Sequence, residues 1–152
     1  MDDETLAYLS GYASDVLSDN KAAQKALEEG TAAIVAYATD ASTGNNINVT
    51  IQSNLSLQNA LLDEEAIISA NATTLKTTLE AQGLTVDSLD IVKGQFAGDE
   101  HSILKLAGSA NGVQIFEQMA ILQKDDYIVA FAATAVGEDI TDDLMGAVEK
   151  IN

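Results

Sequence analysis

ANGVQIFEQMAILQKDDYIVAFAATA, residues 110–135, decides how this chain is read. Val113, Ile115, Met119 and Ile121 alternate with Gln114, Phe116, Gln118 and Leu122. Lys124-Asp125-Asp126 supplies a turn, after which Tyr127, Val129, Phe131, Ala133 and Ala135 alternate with Ile128, Ala130, Ala132 and Thr134. Alternation with a period of two, bounded by turn residues, is the mark of paired strands. Successive side chains on a strand point oppositely, so Val113, Ile115, Met119 and Ile121 should face one layer and Phe116 and Leu122 the other. Both faces are apolar, which predicts a covering layer on each side of the sheet.

Working outward, Asn111-Gly112 is a strong hairpin signal leading back to a strand at His101–Ala107, and a turn at Gly98-Asp99 separates that strand from another at Leu84–Val92. A helix is predicted from about Asp63 to Gln82. Ile68, Ala72, Leu75 and Leu79 form its stripe, Ile67 widens it, and Gly83 ends it. Asp63, Glu64 and Glu65 stand in its first turn, where negative charge offsets the helix dipole. Thr31–Thr39 and the alternating Ile47, Val49 and Ile51 form an earlier hairpin around Gly44. Residues 4–18 and 21–29 carry helical spacing, and Thr141 should cap a final helix through Lys150, with Leu144, Ala147, Val148 and Ile151 inward. Strands that follow one another directly give a mostly antiparallel sheet of about six strands. Helices at the start, middle and end predict an α/β/α sandwich covered on both faces, an α+β class domain spanning residues 1–152.

Composition narrows the function. With 152 residues, 47% of them hydrophobic and only 5% aromatic, the core must be built from Ala, Val, Ile and Leu. The net charge is −17, from 24 acids against seven bases, and all seven bases are Lys. That charge repels phosphate backbones, and the missing Arg removes the best bidentate phosphate contact, so nucleic acid is excluded as a partner. The acidic surface suits solubility, cation accumulation or a basic protein partner. Without Cys there is no disulfide and no thiolate chemistry. No apolar run reaches the roughly 18 residues of a membrane helix. Asp2-Asp3-Glu4 has the wrong charge for the start of a signal sequence.

Element order and strand texture carry a resemblance. NNINVTIQ, the helix ending LKTTLEAQGL, the hairpin NGVQIFEQMAILQKDDYIVAFAATA and the closing helix together resemble the PsbP-like family over most of residues 31–152. That family includes a photosystem extrinsic protein, small bacterial envelope lipoproteins and DcrB-like proteins. The resemblance implies an α/β/α sandwich and a non-enzymatic role in binding or assembly. It transfers no site residues.

The residues hold little chemistry. His101 is the only His, and with Asp99 and Glu100 it makes a short cluster at a turn-to-strand junction. Asp99 and His101 lie on one strand face and could share an ion only if a further ligand arrived from elsewhere, so a surface His beside solubilising acids is the better account. The acid pairs Asp2-Asp3, Asp125-Asp126, Glu138-Asp139 and Asp142-Asp143 lack EF-hand spacing and read as solvated turns and caps. No nucleophile elbow or phosphate loop is present. Asn48-Val49-Thr50 and Asn71-Ala72-Thr73 fit the glycosylation sequon, and Tyr8 and Tyr12 read as a packing stripe on the first helix. The expectation is therefore no catalytic residue, no metal and no cofactor. The chain is expected to be a non-catalytic binding or accessory domain, exported or tethered to the envelope, acting on a protein partner or small ligand as a monomer or dimer. The alternative is a cytoplasmic DcrB-like adaptor that holds an apolar client segment, commonly at a dimer interface.

Overall fold

The computed structural model describes residues 32–53, 63–124 and 127–148. Six strands, β1 (Ala32–Thr39), β2 (Asn46–Ser53), β3 (Thr85–Phe96), β4 (Asp99–Ala110), β5 (Val113–Lys124) and β6 (Tyr127–Val136), form one sheet in the order β1-β2-β6-β5-β4-β3. Every neighbouring pair is antiparallel. Two helices accompany them, α1 (Glu64–Ala81) between β2 and β3, and α2 (Thr141–Gly146) after β6. The antiparallel sheet read from the alternating stretches is thus present, with β3 and β4 longer than their apolar cores suggested.

Turn chemistry sets the register. Asn111 and Gly112 have φ of 52° and 80°, the paired positive values of a tight two-residue hairpin turn, so Ala110 faces Val113. Ala97 and Gly98, at 50° and 92°, do the same between β3 and β4. The expected Gly98-Asp99 turn therefore sits one residue earlier, and Asp99 begins β4 opposite Phe96. At the β1–β2 turn the Asp40 carboxylate accepts from the Ser42 N–H and hydroxyl, and these bonds hold its pKa below the usual carboxylate range.

α1 starts where the sequence puts it. Asp63 is the N-cap, its Oδ1 accepting from the Ala66 N–H at 2.8 Å, with Glu64 and Glu65 in the first turn. It stops at Gly83, whose φ of 89° lets its own N–H reach the Glu80 carbonyl and the Leu84 N–H reach that of Leu79. Ile67, Ile68 and Ala72 turn inward and pack with Leu104, Ile121 and Ile128 of the sheet. A second cluster on the opposite sheet face joins Phe96, Ile103, Ala120 and Ala133 to Met145 of α2. Phe131 belongs to it, its ring 5.0 Å from that of Phe96. Phe131 and Leu122 therefore lie on one face and Ile121 and Met119 on the other, as the alternation predicts.

Among the described residues the expected α/β/α sandwich is not formed. The described structure is dominated by the sheet. α1 lies over β3, β4 and β5 on one face, and the six-residue α2 lies mainly against β5 and β6 on the other, reaching β4 through Asp142 and Lys105. Among the described residues neither makes a layer over the whole sheet, so the covering layer expected on each side is incomplete there. Helical spacing in the sequence marks a helix but not how much sheet it can span. The segments expected at 4–18 and 21–29, with Tyr8 and Tyr12, lie outside the described residues, as do Asp125-Asp126 and Ile151. α2 is also shorter than expected, and its buried anchors are Met145 and Thr141 while Ala147 is exposed. Thr141 is not the cap. The N-cap position is Ile140, and the Thr141 N–H and hydroxyl both donate to Asp139 Oδ1.

Candidate functional site

Three places bring chemistry-bearing side chains together. The first lies where β4 and β5 part. Their ladder ends at Ile103 opposite Ala120, while β5 continues against β6 and β4 against β3. Continued one step, the ladder would give the Ser102 N–H to β5. Instead that N–H donates to Glu64 Oε1 at 2.6 Å, from the first turn of α1. The other oxygen, Oε2, lies 3.1 Å from His101 Nδ1. Glu64 thus wedges the opening between the two strands. On the other side of β4, the Lys93 ammonium donates to Ser102 Oγ at 2.7 Å and pairs with Glu65 at 3.3 Å.

This cluster differs from the one read in the sequence. The sequence sets His101 beside Asp99 and Glu100. The structure pairs it with Glu64, 37 residues away, and sets its ring edge-on to Phe96 at 6.2 Å. Among the described residues no group of three His, Asp or Glu side chains could hold a metal ion. A carboxylate–imidazole pair can orient a general base, but a base needs a proton to take within reach. The Ser102 hydroxyl is fully buried, bonded to Lys93, and one residue along the strand from His101, hence on the opposite face. The cluster is a brace between α1 and the sheet.

The second place joins α2 to the sheet. The Gln118 amide donates to Thr141 Oγ1 at 2.8 Å and to Asp142 Oδ1 at 2.6 Å, and Lys105 donates to the same oxygen at 2.8 Å. Gln118 and then Lys105 hold the Asp142 carboxyl below its ordinary pKa. One strand position away, on the opposite face of β5, Glu117 stands across from Leu106 and Thr134. Burial alone pushes its pKa up to about 7. Its surface is only half-buried, so the carboxyl is enclosed by protein but not sealed from water. Alternation placed Glu117 beside Met119 and Ile121, and that was the only signal that could have marked it.

The third place is a groove of about 440 Å³ between α1 and β3. Ser69, Thr73, Lys76, Thr77 and Glu80 rim it, and Leu89 and Ile91 form its floor. Thr73 and Thr77 donate their hydroxyls to carbonyls one turn back. Of the two sequons, Asn48 lies within β2, and Asn71 is exposed on α1 with its amide donated to the Ile67 carbonyl. None of the described helices is long and apolar enough to cross a membrane. Compared with known proteins, the chain matches no family model, and no curated protein matches it.

Proposed function

We propose that the protein is a non-catalytic binding domain, exported or held at the cell envelope, that works by contact with another protein. The groove between α1 and β3 carries this reading. It has an apolar floor in Leu89 and Ile91, a polar rim, and a position at the border of the sheet beside an edge strand. Deep, closed pockets suit small ligands because they bury most of the ligand surface. A groove along a helix and an edge strand suits a chain segment. The polar side chains with chemical potential are meanwhile committed to bracing α1 and α2 against the sheet. The alternative, a cytoplasmic adaptor holding an apolar client segment, would use the same apolar floor and differs in compartment.

The test is site-specific photo-crosslinking in the source cells, with the crosslinker at Thr73 or at Ser42 of the distant β1–β2 turn, followed by fractionation. A discrete protein adduct at Thr73 and none at Ser42, recovered with the envelope, supports the proposal. The same adduct recovered from the cytosol selects the adaptor. Adducts at neither position, or a turnover that His101→Ala abolishes without unfolding the chain, refutes both.

A further inference from the structure

We propose that the partner enters as an extended strand added to the outer edge of β3, its apolar side chains over the groove and its basic side chains toward Asp90. The proposal rests on the binding reading above and names the kind of segment bound.

β3 is an edge strand, and most of its residues are exposed. Its hydrogen-bonding groups can be assigned from the register. The two-residue turn at Ala97-Gly98 makes Phe96 and Asp99 a hydrogen-bonded pair, and such pairs recur at every second position of an antiparallel ladder. Gly94, Val92 and Asp90 therefore direct their backbone groups to β4. Leu89, Ile91 and Lys93 direct theirs outward. The brace at Glu64 supports the assignment independently: Ser102, opposite Lys93, turns its N–H away from β3, where Glu64 meets it. The residues whose backbone faces outward are thus the ones whose side chains floor the groove.

An added strand would place alternate side chains on opposite faces of the extended sheet. On the α1 face they meet Leu89, Ile91 and the rim of Thr73 and Thr77. On the other face they meet Asp90 and Val92, both exposed. The three lysines nearby are already matched, Lys93 to Glu65, Lys76 to Glu80, and Lys105, across the ladder from Asp90, to Asp142. Asp87 and Asp90 form no ion pair among the described residues. The edge therefore carries surplus negative charge on a chain of net charge −17, and complementarity asks for Lys or Arg at the alternate positions of the guest. A second copy of this chain fits poorly, because pairing two bodies of −17 works against the same field. β3 blunts unspecific pairing in the usual ways, with a bulge between Val86 and Ser88 and charges along its length.

A fluorescent short peptide alternating valine and lysine is the probe, with a peptide of the same composition but blocked order as control. Anisotropy should rise for the alternating peptide only, and added salt should weaken binding. Asp90→Asn should weaken it about three- to tenfold, within the range of one charge-assisted contact. Thr73→Arg, on the exposed side of α1, should block the groove without disturbing the core, and Glu138→Gln, distant and exposed, should change nothing. Equal binding of the two peptides, indifference to both Asp90→Asn and Thr73→Arg, or chain dimers paired through β3 in ultracentrifugation would overturn the proposal. A Thr73 adduct in cells together with no binding of the alternating peptide would retain the binding reading and discard the added strand.

Discussion

Replacing Glu117 by glutamine separates the cost of burying a charge from the packing of the side chain that carries it. Burial raises the Glu117 pKa from 4.5 to about 7. Between those two values the folded chain keeps a proton that the unfolded chain has released. Stability must therefore fall as pH rises from about 4.5 to 7, and stay lowered above it. At about 1.4 kcal/mol for each pH unit in that interval, the full loss is roughly 3 kcal/mol. The side chain is only partly buried, and water reaching it trims the loss to about 1–3 kcal/mol. Glutamine has nearly the same shape and no charge at any pH. Urea midpoints at pH 5 and pH 8 give the answer. At pH 5 the two chains should be close in stability, and at pH 8 Glu117→Gln should be the more stable by about 1–3 kcal/mol. Parallel pH profiles, or a variant weaker at pH 8, would show that the carboxylate is solvated or paired in the folded chain and that the reasoning fails.

Glu64→Ala should cost about 1–3 kcal/mol by leaving the Ser102 N–H without its acceptor, and amide exchange at Ser102 should quicken. Gly108→Ala should destabilise by about 1–3 kcal/mol in thermal melts, because a Cβ there would sit 2.6 Å from the Thr85 carbonyl oxygen, which is backbone and cannot swing aside. Phe131→Ala should cost about 3 kcal/mol by denaturant midpoint, since it empties the space between Phe96 and the α2 anchor. An Asp142→Asn variant should lose the acid-side part of the stability profile. The Asp142 pKa is lowered in the folded state, so its contribution is present above the unfolded carboxylate range and disappears as the solution is acidified.

Strand identity was legible because alternation is a local property. Ile121 and Leu122 are adjacent, and their opposite faces follow from backbone geometry alone. Asn111-Gly112 likewise announces its turn in two residues. The extent of the layers was not legible, because it depends on where a helix lies across a sheet whose strand order is set by β2 meeting β6. The brace was hidden for a similar reason. Glu64 looks like a first-turn acid serving the helix dipole, and only the parting of β4 from β5 gives it the Ser102 N–H to accept. The groove leaves no mark in the sequence because its rim and its floor come from α1 and β3, and neither half is distinctive alone.

The ladder between β2 and β6 has a consequence for the order in which the chain can assemble. β3 to β6 are consecutive hairpins, so each can close as soon as its second strand exists. The β1–β2 hairpin is made far earlier on the ribosome, yet the edge of β2 from Asn46 to Ser53 has no strand to accept it until Tyr127–Thr134 has been synthesised. While residues 54–126 are made, about half of the chain, β2 therefore presents an unpaired edge bearing Ile47, Val49 and Ile51, and closing it means joining segments that far apart. A nascent chain arrested before Tyr127 should be the species most prone to aggregate and the first to be taken up by chaperones.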